Sequence, residues 1–415
     1  MASPSDRVHR PPHPQARALA AVMQFLSDQN LDASLRALRA ELGARPGDYA
    51  ADDVPPDTLL NALSLYDDMQ AAREKSGNAA DPRDAIMERL VSTEGAGVVP
   101  DPDTEQCLAG HHAANIIAVA WQPNNTRLIA SGGADGHVVI CDVDTKQQVR
   151  RIGVSGPVLA LDFNPVRHNM LAVACMNGSV SIIDVENASQ VYVADLHDKK
   201  HVTRARWSPD GLLLATAGLD KTICLSKEEG RDGSWGTVKQ VFLTATPESL
   251  TWLPSSSTLV YSIRDSHELH MYDGAAMAVR QRLSLNTHGD EHVSFACIDL
   301  CAANGFPGLM MATTDRNRAV VVHPSTVGPL FALYGAVNDE YSTPRTSFSP
   351  NDAVVYSTSQ DASIVTWELR SRRAVGQLRR HRKQIRDMDV NVHTGELAAC
   401  SYDRTVRVWR CSGSE

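Results

Sequence analysis

Four histidines and four aspartates stand where they could exchange a proton. His111, His197, His288 and His381 each precede a β-type run, and each pairs by register with Asp135, Asp220, Asp315 or Asp403. An isolated His–Asp pair suggests general acid–base catalysis. Here the pair recurs at near-regular intervals down the chain, which favours a structural network that ties turn to turn through buried hydrogen bonds. No Ser/His/Asp order, HExxH or phosphate-cradling glycine loop accompanies the pairs. The aspartates lack the dense ladder of an EF-hand loop, and His111-His112 and the Cys297/Cys301 pair are isolated. The chain therefore reads as non-enzymatic, without metal or other cofactor.

The elements that position these residues are short strands. Residues 381–411 contain three β-type runs, 385–392, 396–400 and 405–411, separated by His-Thr-Gly and Tyr-Asp-Arg turn signals. The offsets of His381, Ser401, Asp403 and Trp409 resemble a WD40 repeat, the unit of a β-propeller blade, in which these residues are structural. Strand-end anchors at Trp121, Phe163, Trp207, Trp252, Ile298, Phe348 and Val390 are spaced by 42, 44, 45, 46, 50 and 42 residues. A second register of tight-turn residues follows each anchor: Asp135, Asn177, Asp220, Asp265, Asp315, Asp361 and Asp403. Both registers count seven. A third register, where the repeat ends in Trp-Asp, is degenerate, running from Cys141-Asp142 to Trp367-Glu368 and Trp409-Arg410. The expected fold is an all-β seven-bladed WD40 propeller over residues 104–415. Its last repeat has only three strands, and residues 104–109 are predicted to supply the fourth and close the ring.

Ahead of the propeller the periodicity is helical. After a polar, disordered stretch at 1–15, Leu19, Val22, Met23 and Leu26 fall on one helix face, and Leu35 and Leu38 give a second short apolar face. Two such short helices need a partner to bury their leucines. Residues 16–43 resemble a LisH motif, a helical hairpin that dimerises in its family, through Phe25-Leu26, Leu31, Ser34, Leu38 and Glu41. The resemblance implies a homodimer through Leu19, Val22, Phe25, Leu26, Leu31, Leu35 and Leu38, and packing of the hairpin on its own propeller stays open. Residues 44–92 read as linker and helices, including one that starts at Asp81-Pro82, and 93–103 as a second linker.

The chain has 415 residues, 43% of them hydrophobic, and a net charge of −9, which argues against a general nucleic-acid binder. It has no apolar run long enough to span a bilayer, and its eight cysteines form no CxxC pair, so an intracellular protein, cytoplasmic or nuclear, is expected. Against the acidic background Arg379, Arg380, Arg382, Lys383 and Arg386 form a basic loop before the last repeat, which either steers an acidic partner or is simply solvated. Trp235, flanked by glycines in a polar stretch, is either an interface anchor or folded onto a blade edge. The overall plan is similar to LisH–WD40 proteins such as lissencephaly-1-like dynein regulators, transducin-β-like corepressors and some ubiquitin-ligase subunits. It implies a non-catalytic scaffold for other proteins, possible roles being dynein or microtubule regulation or, alternatively, a nuclear adaptor in corepressor or ligase complexes.

Overall fold

The computed structural model describes residues 82–92, 99–229, 234–254, 256–286, 295–326, 328–338 and 342–411. The chain divides after Asp81, and everything below belongs to the unit that starts at Pro82. The LisH-like hairpin with Leu19, Val22, Phe25, Leu26, Leu31, Leu35 and Leu38 lies outside the described residues, as does His288.

Alternating β-branched runs and Asp- or Asn-bearing turns give seven antiparallel sheets of four strands each, a seven-bladed β-propeller. The innermost strands are Ile116–Trp121, Val158–Phe163, Val202–Trp207, Pro247–Trp252, Cys297–Ala302, Thr346–Phe348 and Ile385–Val390. In six blades the innermost strand ends on the expected anchor. In blade 5 it does not: Ile298 is the strand's second residue, and Ala302 occupies the terminal position. The small alanine there hid the true register from a search for large side chains. All seven residues of the second register lie in the turn between second and third strands.

The slot that ends the third strand is filled by Cys141, Ile183, Ser226, Tyr272, Val321, Trp367 and Trp409, and every one is buried. The slot therefore needs a plug between sheets more than it needs tryptophan. Apolar clusters fill the space between successive blades; one unites Ala118 and Ala130 of blade 1 with Leu161 and Val173 of blade 2.

Ring closure uses the strand Gln106–Ala109, which pairs antiparallel with Thr405–Trp409, Gln106 opposite Val408 and Ala109 opposite Thr405. Leu108 is buried with Val119, Cys400 and Val406. Arg407 pairs with Glu105, and Thr104 Oγ1 donates to the Arg410 carbonyl at 3.0 Å. A further bridge joins Pro100 to Cys411, so the tie extends into the stretch read from sequence as linker.

Helix α1, Pro82–Ser92, is bound to the propeller as well. Ile86 and Leu90 join Phe306, Leu309, Leu330 and Trp367 in one cluster of blades 5 and 6. Arg83 donates to the Leu330 carbonyl at 2.6 Å, and the Arg89 guanidinium lies 4.4 Å from the Phe306 ring centre.

Candidate interaction site at the channel mouth

The His–Asp pairs are buried and local to each blade. His381 Nδ1 lies 2.9 Å from Asp403, its ring edge-on to Trp409. His197 Nδ1 lies 3.1 Å from Asp220, and its Nε2 lies 2.9 Å from Thr216. In blade 1 the partner of Asp135 is His112, at 3.0 Å, with Ser131 on its other nitrogen. The expected His111 instead offers its carbonyl to Arg151. Two adjacent histidines left the sequence register uncertain by one residue, and the inward position belongs to the second. In blade 5 Asp315 accepts from the Ala296 N–H at 2.9 Å. Ser401 Oγ donates to the Lys383 carbonyl at 2.8 Å. Burial works against the Asp403 charge, yet hydrogen bonds from His381, Thr405 and the Arg382 N–H hold its pKa well below the usual range. Burial lowers the His112 and His197 pKa values, which keeps the rings neutral. Such pairs clamp turns.

A second polar system, absent from the sequence reading, lines the central channel. It is built from charged residues on innermost strands, Asp162, Arg204, Arg206, Asp299, Asp387 and Asp389, with Arg345 just before the innermost strand of blade 6. Arg204 pairs with Asp299 at 3.2 Å and Arg345 Nε with Asp387 at 3.2 Å. Asp299 also accepts from the Thr346 N–H and hydroxyl, both at 2.8 Å. Each carboxylate reaches a neighbouring innermost strand: Trp207 N–H donates to Asp162 at 2.6 Å, Val119 N–H to Asp387 at 3.0 Å and Trp121 N–H to Asp389 at 2.7 Å. Desolvation drives the Asp162 pKa up to about 6 and that of Asp389 to about 7, against the pull of Arg206 and of these N–H donors. Asp162 keeps 26% of its side chain open to the channel, so this desolvation comes from crowding by the surrounding walls rather than complete enclosure. Burial disfavours the Arg206 charge, but Asp162, Asp387 and the other channel carboxylates outweigh it and raise its pKa. Cys301 lines the same cavity of about 170 Å³. Burial pushes its thiol far up, which makes it a poor nucleophile.

Above this belt the channel opens. The start of each innermost strand lies at the same end as the turn between second and third strands, as Ile385 opposite Ser401 and Ile116 opposite Gly133 show. This upper face carries a cavity of about 190 Å³ lined by Arg204, Arg264, Arg345 and Arg386, with Thr203, Thr343 and an apolar rim that includes Ile117 and Leu159. Arg386 hydrogen-bonds Thr343 and lies 5.1 Å from the Tyr402 ring centre. Its Nε is buried without a hydrogen-bond partner, and desolvation lowers its pKa.

The rest of the basic loop spreads outward on the same face. Arg379 pairs with Asp361 at 3.3 Å, and Arg380 pairs with Asp103, beside the closing strand, at 3.3 Å. Arg382 and Lys383 are exposed. Only Arg386 of the five lines the cavity. Trp235 is not in a loop. It belongs to the strand Ser234–Phe242, opposite Glu228 in an extended hairpin, and meets Trp207 edge-on at 5.3 Å, with the Arg167 guanidinium 5.6 Å from its ring. It is half-buried, with its ring packed between blades 2 and 3. Among the described residues no cluster of three or more His, Cys, Asp or Glu could hold a metal ion, and no helix is long and apolar enough to cross a membrane.

Fold and turn chemistry together define a seven-bladed β-propeller. Residues 103–142, 189–225 and 372–410 match the family described as WD domain, G-beta repeat. Among curated proteins the chain is similar to rat transducin beta-like protein 3, 23% identical over 306 residues, covering 72% of this chain and 37% of the relative. It also resembles protein transport protein SEC31 of Phaeosphaeria nodorum, 24% identical over 158 residues, 36% of this chain and 11% of the relative. A third match is mouse diphthine methyltransferase, 27% identical over 104 residues, 23% of this chain and 22% of the relative. The chain thus spans well under half the length of each of these relatives.

Proposed function

We propose that this chain is a non-catalytic scaffold that holds partner proteins on the upper face of its propeller and is paired into a homodimer by the LisH-like hairpin at residues 16–43. One observation carries the reading: a chain of net charge −9 gathers Arg264, Arg345 and Arg386 around the channel mouth, with exposed Arg382 and Lys383 on the loop of the same face. Local charge of that sign steers acidic segments toward the face and speeds encounter. The neutral rings of His112 and His197 and the high-pKa channel thiol support binding rather than catalysis. Pairing two such faces raises avidity without any new contact.

Proximity labelling in the native cell, with the wild-type chain and an Arg382→Glu/Lys383→Glu variant, tests the scaffold. A partner set that shrinks several-fold with the variant is expected, because like charge at a rim slows association. An unchanged set would sink the assignment of the upper face. Recovery of dynein, corepressor or ligase subunits would fix the pathway.

A further inference from the structure

Among the described residues the guanidiniums at the channel mouth are not all matched by carboxylates. Arg204 and Arg345 are each buried and turned partly toward the belt carboxylates, with one guanidinium nitrogen of each on a neighbouring backbone carbonyl. Arg264 pairs with Glu248 at the cavity edge. Arg386 makes no ion pair among the described residues; its contacts are a hydroxyl and an aromatic face, and its Nε is buried with no acceptor. Arg386 is half-buried, and a partly desolvated guanidinium without an anion carries a cost that an incoming anion would offset. Four guanidiniums from blades 3, 4, 6 and 7 therefore converge on one cavity of about 190 Å³ whose only lining carboxylate among the described residues is that of Glu248.

We propose that this mouth is an anion site that takes the phosphoryl group of a phosphorylated serine or threonine on a partner protein, with Arg386 as its principal contact. The inference rests on the scaffold reading and names the chemistry of the partner. A tetrahedral dianion accepts hydrogen bonds from several directions at once, which suits donors arriving from four blades; a planar carboxylate is satisfied by one fork. The Thr343 hydroxyl adds a neutral donor at the wall, and Ile117, Leu159, Leu219 and Ile298 give apolar seats for residues flanking the phosphate.

The test is retention of the full chain on a degenerate phosphoserine peptide library, with the same library unphosphorylated and a library carrying glutamate at the fixed position as controls. Binding to the phosphorylated library about tenfold or more above both controls is expected, with a loss of similar size in Arg386→Gln, since each charge-assisted bond is worth about that factor. Arg370→Gln, on the opposite face, serves as the charge-matched control and should bind as wild type does. Equal retention on all three libraries, or undiminished retention by Arg386→Gln with its melting temperature unchanged, would overturn the proposal. Retention on the glutamate library alone would also overturn it, in favour of an acidic-segment site. Competition by inorganic phosphate but no peptide preference would show a free-anion site and defeat the protein-borne source. If the libraries fail while Arg382→Glu/Lys383→Glu still loses partners in cells, the phosphate falls and the scaffold stands.

Discussion

Two aspartates of blade 7, Asp389 and Asp403, sit in surroundings that push their pKa values apart. Desolvation raises Asp389 to about 7, whereas His381, Thr405 and a backbone N–H hold Asp403 well down. The folded protein binds the Asp389 proton more tightly than the unfolded chain does, so its contribution is present at low pH and is lost as pH rises through about 7. For Asp403 the sign reverses: the contribution is present above its ordinary range and disappears as pH falls below it. The stability gap between wild type and Asp389→Ala should therefore narrow from pH 5 to pH 8, while the gap to Asp403→Asn, about 2 kcal/mol at pH 7, should hold there and close below about pH 4. Urea midpoints across pH check both, and parallel gaps would refute the assignment. At this scale the sequence was legible where residues repeat, as with His197, His381 and the seven turn residues. It was not legible for the channel belt, because Asp162, Asp299 and Arg345 occur once each and meet only after the ring has formed. One trace existed: Arg204-Ala-Arg206 and Asp387-Met-Asp389 put charges at alternate positions in strands otherwise buried, which places them on one face.

The segment that closes the ring is short, and its stability comes from side chains at its ends as much as from its ladder. Leu108 is 2% exposed among residues of blades 1 and 7, while Arg407–Glu105 and the reciprocal Thr104–Arg410 bonds pin the strand's start. Leu108→Ala should cost about 2–4 kcal/mol, the cavity cost of a buried leucine, and removal of residues 104–109 should bare the edge of blade 7 and lower the melting temperature of the whole propeller. A melting temperature unchanged by either would contradict closure by this strand. Strand counting made this element legible, since three runs where four are needed leaves one owed from elsewhere. The docking of α1 was hidden, because Ile86 and Leu90 alone on one face do not say which surface they cover.

For the molecule as a whole the two units make separable predictions. A chain starting at Pro82 keeps α1 with the propeller, whereas a cut near residue 95 would remove Ile86 and Leu90 from the core of blades 5 and 6. Light scattering is expected to give a dimer for the full chain and a monomer for residues 82–415, and a monomeric full chain would remove the homodimer from the proposed function. Whole-molecule architecture was the most legible level of all, because a blade cannot bury its faces alone and must repeat to be stable.

The pairing of Gln106 with Val408 also sets a clock. On the ribosome the outermost strand of blade 7 emerges before any blade, and its partner follows about 300 residues later, a wait of roughly 15–60 s at ordinary synthesis rates. Throughout that interval the backbone groups of Cys107 and Leu108 have no ladder partner, although Leu108 can already pack on blade 1, and each completed blade lengthens an open arc with two sticky edges. Nascent chains of this protein should therefore depend on a holding chaperone until the last blade has been translated, and dependence should vanish the moment it is.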